Sequence, residues 1–351
     1  MAAVNLPIPV TVLTGYLGSG KTTLLKALLQ HPEIAAGTAV IVNEFGEVGL
    51  DDALIEAVQE DTVLLPSGCV CCAVRGDLVK ALLKLHDDMM RGAIPELQRV
   101  VLETTGLADP APIAQTLIND RDLFRVYRLD GIITTVDAQH GLRQLDNTFE
   151  TARQIAMADR IILTKTDLAA ADEIDRVSAR VRLLNPAAPI FKAVKGAIDP
   201  SELFNLNAYE VRGDIDVDRW LAADRYATHD EHCSVEGCDH PHHHHDHDHG
   251  HLHGIRSFCL TFDEPLEANK VEVLIELLRA THGEKLLRIK GLLNVRGQEQ
   301  PFVIHGVQHI FYPVEVLERW PSDDRRSRIV FITRDLEEAA VREHFAPLNP
   351  A

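Results

Sequence analysis

Short β-branched apolar runs alternate with longer segments of helical period over the first two hundred or so residues. The runs Ile8–Thr14, Ala39–Asn43, Val63–Pro66, Val100–Glu103, Gly131–Val136 and Arg160–Thr164 are almost unbroken in apolar residues, as strands are when both faces of their sheet are covered. Lys21–Gln30, Leu78–Met89 and Ile174–Leu184 read as helices between them. Strands alternating with helices predict an α/β fold with a mostly parallel sheet and helices on both faces. The pattern lapses between Gly213 and Gly254, where too few apolar residues remain to build a core, and a surface loop or linker is expected. It recovers from Ile255. Strands are predicted at Ser257–Phe262, Leu286–Val295, Gln300–His305, Gln308–Val314 and Arg328–Thr333, and helices at Leu266–Thr281 and Leu336–Phe345. This is a smaller α+β module, long enough to fold alone. The expected organisation is therefore 1–212, 213–254 and 255–351.

Composition narrows the possible partners. The 351 residues carry 35 basic and 53 acidic side chains, a formal charge of −18, which argues against a general nucleic-acid binder because phosphate backbones are held by Lys and Arg. No run approaches the ~20 apolar residues that a bilayer span needs, so no membrane partner is expected. Met1–Pro7 lacks the charged and apolar regions of a signal peptide, and the expectation is a reducing, cytoplasmic setting. Six cysteines are too few for a disulfide scaffold in a chain of this length, which leaves the thiols for metal or redox chemistry.

Gly15-Tyr16-Leu17-Gly18-Ser19-Gly20-Lys21-Thr22 fits G-x-x-x-x-G-K-[ST], with a strand leading in and a helix leading out. In such a P-loop, glycines let the backbone curl so that successive N–H groups meet phosphates, and the helix start adds its positive dipole end. Gly15, Gly18, Ser19 and Gly20 would form the cradle, Lys21 would reach the β- and γ-phosphates, and Thr22 would ligate Mg²⁺. The fold class becomes a P-loop NTPase-type sheet with a smaller C-terminal α+β domain. Val100–Leu102 ends in Glu103, which could hold Mg²⁺ through water, and the N–H of Gly106 could sense the γ-phosphate. Thr164-Lys165-Thr166-Asp167 ends another strand and resembles the N-K-x-D element of GTPases. A carboxylate at Asp167 would accept from guanine N1–H and the 2-amino group, with the Lys165 stem over the ring. Thr164 stands where that pattern has Asn.

Gly68-Cys69-Val70-Cys71-Cys72 gathers three sulfurs into four positions. Thiolates are soft ligands for Zn²⁺ and other late metals, and three with one further donor complete a tetrahedron. A bridge between adjacent Cys71 and Cys72 would be strained, so redox chemistry is the weaker reading. The bland alternative is buried apolar cysteines, and this is the expectation for Cys259. Asn43-Glu44-Phe45-Gly46-Glu47 follows a strand and reads as a switch segment; Glu44, Glu47 and Asp51 are candidates for orienting water, completing a metal shell, or being merely solvated. Eleven of the 18 histidines fall between His229 and His253. Within that tract His242, His243, His244, His245, His247 and His249, with Cys233 and Cys238 nearby, suit weak, unselective binding of Zn²⁺, Ni²⁺ or Co²⁺. An inert polar linker is the competing account.

Together, Gly15–Thr23, Asn43–Gly46, Gly68–Cys72, Glu103–Gly106 and Thr164–Asp167 resemble the CobW-like family of metal-chaperone GTPases. Lys285–Gly291 and Gly306–Gln308 extend the resemblance to the C-terminal module. It implies a slow GTP hydrolase with GTP, Mg²⁺ and Zn²⁺, or Co²⁺, as ligands. Thr23 joins the nucleotide-binding residues, and Lys21, Glu44, Asp51 and Glu103 are the candidates for catalysis. It also implies a transition metal at Cys69, Cys71 and Cys72, passed to a client metalloprotein under control of the GTP cycle, with zinc allocation and cobalt handling for cobalamin synthesis both in the family. Rival readings are a passive zinc store that uses the histidine tract, and a P-loop kinase with a structural zinc, against which Asp167 speaks.

Overall fold

In the computed structural model, residues 7–43, 63–67, 75–204, 206, 221, 223–226 and 252–348 are described. Glu44, Glu47, Asp51, Cys69, Cys71, Cys72 and the histidine tract lie outside them. The chain divides into two compact units, Met1–Arg182 with Ala188–Arg212, and Leu183–Ala187 with Gly213–Ala351. No helix among the described residues is long and apolar enough to cross a membrane.

The first unit is built on seven strands: β1 (Ile8–Gly15), β2 (Thr38–Asn43), β3 (Val63–Ser67), β4 (Arg99–Glu103), β5 (Tyr127–Asp137), β6 (Arg160–Thr164) and β7 (Ile190–Lys192). Their order across the sheet is β3-β2-β4-β1-β5-β6-β7, and every pairing is parallel. The helices are α1 (Lys21–Leu29), α2 (Pro32–Ala35), α3 (Arg75–Met90), α4 (Ala111–Asn119), α5 (Arg121–Val126), α6 (Gly141–Asn147), α7 (Phe149–Met157) and α8 (Ala171–Leu184). Leu24, Leu25 and Leu28 of α1 join Leu13, Val40, Val101, Ile133 and Ile162 in one core, because residues three and four apart share a helix face.

This is the α/β architecture expected from the alternating pattern. The sequence reading starts β5 four residues late, at Gly131, because Arg128 and Asp130 interrupt the apolar run. Both sit inside the strand as a pair 3.7 Å apart, and the Thr11 hydroxyl also donates to Asp130 at 3.3 Å. Tyr127 opens the strand fully buried and donates from its hydroxyl to the Leu82 carbonyl of α3 at 2.9 Å.

The second unit holds β8 (Ile255–Phe262), α9 (Ala268–His282), β9 (Leu286–Leu293), β10 (Phe302–Val307), β11 (Ile310–Phe311), β12 (Glu315–Val316), β13 (Ser327–Arg334) and α10 (Glu338–Phe345). The sheet runs β11-β10-β9-β13-β8, with β12 on β10, and these pairings are antiparallel. Alternation sorts the residues. Phe258, Leu260, Phe262, Ile289, Leu293, Ile304, Ile329 and Phe331 share a core with Val271, Leu274 and Leu278 of α9 and Val341 and Phe345 of α10. Of the expected strand Gln308–Val314 only Ile310–Phe311 is a strand, and the short β12 begins after it, at Glu315. Gln308 has φ of 55°, and Pro313 has no N–H to give a ladder. Cys259 is also a correction: it is half-buried, not core, because it falls between Phe258 and Leu260 and so on the other face of the sheet.

That other face carries Arg288, Lys290, His305 and Arg328, all buried. His305 lies opposite Lys290 in the ladder and stacks on Tyr312, with centroids 4.3 Å apart. Burial above all, then the charges of Arg288 and Lys290, pushes the His305 imidazole down to about 3. In the unfolded chain it would ionise near its ordinary 6.5. The unfolded state therefore takes up the proton first, and stability present above that value is lost as pH falls. We expect the stability of this unit to decline below about pH 6.5, by up to about 1.4 kcal/mol per pH unit from this group. Urea titrations at about pH 7 and about pH 5.5 should show the drop in the wild type and a smaller one in His305→Phe, which keeps a ring against Tyr312.

Candidate functional site

Strand register brings the site together. Leu13 of β1 lies level with Glu103 of β4, Gly15 with Thr135 of β5, and Asp137 of β5 with Thr164 of β6. The carboxyl ends of four neighbouring strands thus deliver Gly15, Glu103, Asp137 and Thr164 to one edge, where open α/β sheets bind ligands.

From β1 the chain passes through Tyr16–Gly20 into α1. Gly20, with φ of 93°, is the residue before the first helical turn, and that left-handed backbone reverses the chain so that the helix can begin. Lys21 is buried, and its Nζ donates back across the loop to the carbonyls of Gly15 at 2.8 Å and Tyr16 at 3.2 Å. Its ammonium group therefore sits over the loop. The Thr22 hydroxyl donates to Glu103 Oε1 at 2.8 Å, and Glu103 is buried at its strand end. The two proposed Mg²⁺ residues are thus in direct contact. Thr23 is exposed.

Hydroxyl groups hold the underside of the loop. Ser19 Oγ and Thr135 Oγ1 are 2.7 Å apart, Thr135 donates to the Thr14 carbonyl at 3.2 Å, and Thr104 donates to the Thr14 hydroxyl at 2.9 Å. Thr164 Oγ1 donates to the Ser19 carbonyl at 2.6 Å, with the Val136 carbonyl as a second acceptor at 3.3 Å. Thr164, where the resembled N-K-x-D pattern has Asn, thus links the end of β6 to the phosphate loop. Gly106 lies against Leu17, and a Cβ added there would fall on the backbone nitrogen and the side chain of Leu17, so the loop after β4 and the phosphate loop pack together only because position 106 has no side chain.

Just beyond β6, Lys165 has φ of 55° and donates from Nζ to Asp137 Oδ2 at 2.7 Å. The other oxygen of Asp137 accepts the backbone N–H groups of Gln139 at 2.8 Å and His140 at 3.1 Å. With its ammonium anchored on this buried carboxylate, the Lys165 stem is held in place two residues before the exposed Asp167. Sequence reasoning did not single out Asp137 or Thr135. Asp137 does carry the signal that identified Glu103, a carboxylate closing an apolar strand. Thr135 carries none, since a threonine in a strand is ordinary. Glu44, Asp51, Cys69, Cys71, Cys72 and His242–His249 lie outside the described residues. Among the described residues no group of three or more His, Cys, Asp or Glu could hold a metal ion.

Comparison with known proteins covers both units. Residues 9–192 match the family model described as CobW/HypB/UreG, nucleotide-binding domain, and residues 255–348 match the cobalamin synthesis protein cobW C-terminal domain. The chain is 35% identical over 343 residues to the zinc chaperone YjiA of Escherichia coli, covering 98% of this chain and 99% of that one. It is 32% identical to the zinc chaperone CobW of Pseudomonas aeruginosa, covering 95% and 89%. The crystal structure of Zn(II)-bound YjiA GTPase from E. coli superposes with a TM-score of 0.74 at 32% identity, over 98% of this chain and 100% of that one.

The Thr164 link is open to test. Thr164→Val keeps the side chain's shape, removes the hydroxyl and leaves the buried Ser19 carbonyl short of a donor. It should cost about 1–3 kcal/mol, seen as a lower denaturant midpoint, together with weaker nucleotide binding in a fluorescence titration.

Proposed function

This chain belongs to the CobW family, and on that premise we propose that it is a GTP-hydrolysing zinc metallochaperone with 1–212 as its GTPase domain, 213–254 as a metal-binding loop and 255–351 as its C-terminal domain. The observation that carries the nucleotide half of this reading is the contact between Thr22 and Glu103 beside the Lys21 ammonium. It places a hydroxyl, a carboxylate and a cation at one strand edge, as a nucleoside triphosphate with a divalent ion requires.

Phosphates would lie on the N–H groups of Gly15–Thr22, with Lys21 turning from the loop carbonyls to β- and γ-oxygens. Mg²⁺ is implied by the fold, and the residues fit it: Thr22 and Glu103 offer hard oxygen donors 2.8 Å apart, suited to an ion that keeps several of its waters. When bound it supplies neutralising charge at the phosphate oxygens. Glu103 then holds the Thr22 hydroxyl in place at the first turn of α1, and Gly106 offers its N–H on the same edge. Glu44 and Asp51 remain the candidates for orienting the attacking water. Asp167, exposed beside the anchored Lys165, would select guanine.

Zinc is the cargo. YjiA and the Pseudomonas CobW are both named zinc chaperones, and Cys69-Val70-Cys71-Cys72 supplies the soft donors in this chain. A client metalloprotein in the cytoplasm would receive the ion. The cycle can drive transfer only if GTP and GDP states differ in zinc affinity, since equal affinities shift nothing. By linkage, zinc must then favour GTP over GDP by the same factor.

Two measurements test this. Zinc titrations with a chelating dye should give a tight site whose affinity differs about tenfold or more, about 1.4 kcal/mol, between GDP and a non-hydrolysable GTP analogue. That site should be lost in the Cys69/Cys71/Cys72→Ala variant and kept when residues 229–253 are deleted; equal affinities would leave a passive store. Asp167→Asn should reduce discrimination of GTP over ATP by about 10- to 100-fold, since bonds to a charged acceptor are worth about 1.5–3 kcal/mol.

A further inference from the structure

Glutamine is an expensive residue to bury, and Gln154 of α7 is almost fully buried, at 1% exposure. Its neighbours in the helix, Ala152, Ile155 and Ala156, are apolar, and a leucine would fill the position without the cost of desolvating an amide. The amide is aimed at one target. Nε2 donates to the carbonyls of Gly106 at 3.2 Å and Ala108 at 3.0 Å. The preceding residue grips the same segment one step further on: Arg153 pairs with Asp109 Oδ2 at 2.6 Å, while Asp109 Oδ1 accepts the N–H of Ala111 at 3.0 Å where α4 begins. Helix α7 is itself tied to the sheet, because the Thr134 hydroxyl of β5 donates to the Gln154 carbonyl at 2.8 Å.

The segment held in this way is the one that leaves Glu103 and touches the phosphate loop through Gly106. One side of Gly106 meets Leu17; its carbonyl is bonded to Gln154. We propose that Gln154 is a positioning residue for GTP hydrolysis, fixing the loop 104–109 so that the Gly106 N–H faces the γ-phosphate, with Arg153 and Asp109 securing the far end. This rests on the GTPase reading above. Because only GTP has a γ-phosphate, the effect belongs to GTP and its turnover and not to the grip on the diphosphate.

The full-length chain tests it through Gln154→Met, which matches the shape and removes both donors. Single-turnover cleavage at saturating GTP should slow about tenfold or more, with GDP affinity within about twofold of wild type, because the positioned N–H meets a phosphate that GDP lacks. In Gln154→Glu a neutral carboxyl can donate to one carbonyl and a carboxylate cannot, so its rate should rise as pH falls where the wild type's does not. A Gln154→Met variant that turns over like wild type, or that loses GDP affinity by as much as it loses rate, overturns the proposal. If Gln154→Met does not fold, hydrogen exchange on the wild type decides. Amides 106–109 should be better protected with a non-hydrolysable GTP analogue than with GDP, and equal protection overturns the assignment. A wild type that neither binds nor cleaves GTP would sink the GTPase reading itself, a result separate from all of these.

Discussion

The site depends on parallel register. With β1 flanked by β4 and β5, the levels of Leu13, Glu103 and Thr135 are set by backbone pairing, not by side-chain chemistry. A slip of a single residue would turn every side chain of a strand to the opposite face, taking Glu103 away from Thr22. The apolar core of Leu13, Val40, Val101, Ile133 and Ile162 under α1 specifies that register. Chemistry at the edge is thus held in place by burial some distance away. This is why strand-end carboxylates can be placed without any ligand to organise them.

The hydroxyl groups under the phosphate loop have a related role. Ser19, Thr135, Thr14, Thr104 and Thr164 form short bonds among themselves and to loop carbonyls, in a region with almost no solvent. Each satisfies a polar atom that would otherwise be buried without a partner. The carbonyls of Gly15, Tyr16 and Ser19 are engaged by Lys21 and Thr164, while the Ser19 N–H closes a turn onto the Tyr16 carbonyl.

Much of this was legible in the sequence, and the exceptions have physical reasons. The phosphate loop could be read because glycine spacing is dictated by backbone geometry, and Glu103 because a carboxylate there closes an apolar run on a strand next to that loop, where it meets Thr22. The start of β5 was hidden because Arg128 and Asp130 neutralise one another inside the strand, so burial there carries no apolar signature. The segment Gln308–Val314 read as one strand because its composition is strand-like, while the left-handed Gln308 and the ring of Pro313 break it. Gln154 was invisible, since a polar residue in a helical pattern looks like a solvent-facing one until the opposing carbonyls are known. Asp137 lay between these cases: its signal was present, but its partner Lys165 is 28 residues away.

A hydroxyl group has one hydrogen to give. Thr164 spends it on the Ser19 carbonyl, yet the Val136 carbonyl is already within 3.3 Å of the same oxygen. A small rotation about one bond would turn that hydrogen from one acceptor to the other, so the Thr164 donor has a partner in either orientation. The Ser19 carbonyl does not share this freedom, since in the second orientation it gives up the hydroxyl that holds it. The threonine is therefore a one-sided latch: its own hydrogen is indifferent to being moved, and the resistance to release lies wholly in the loop it lets go.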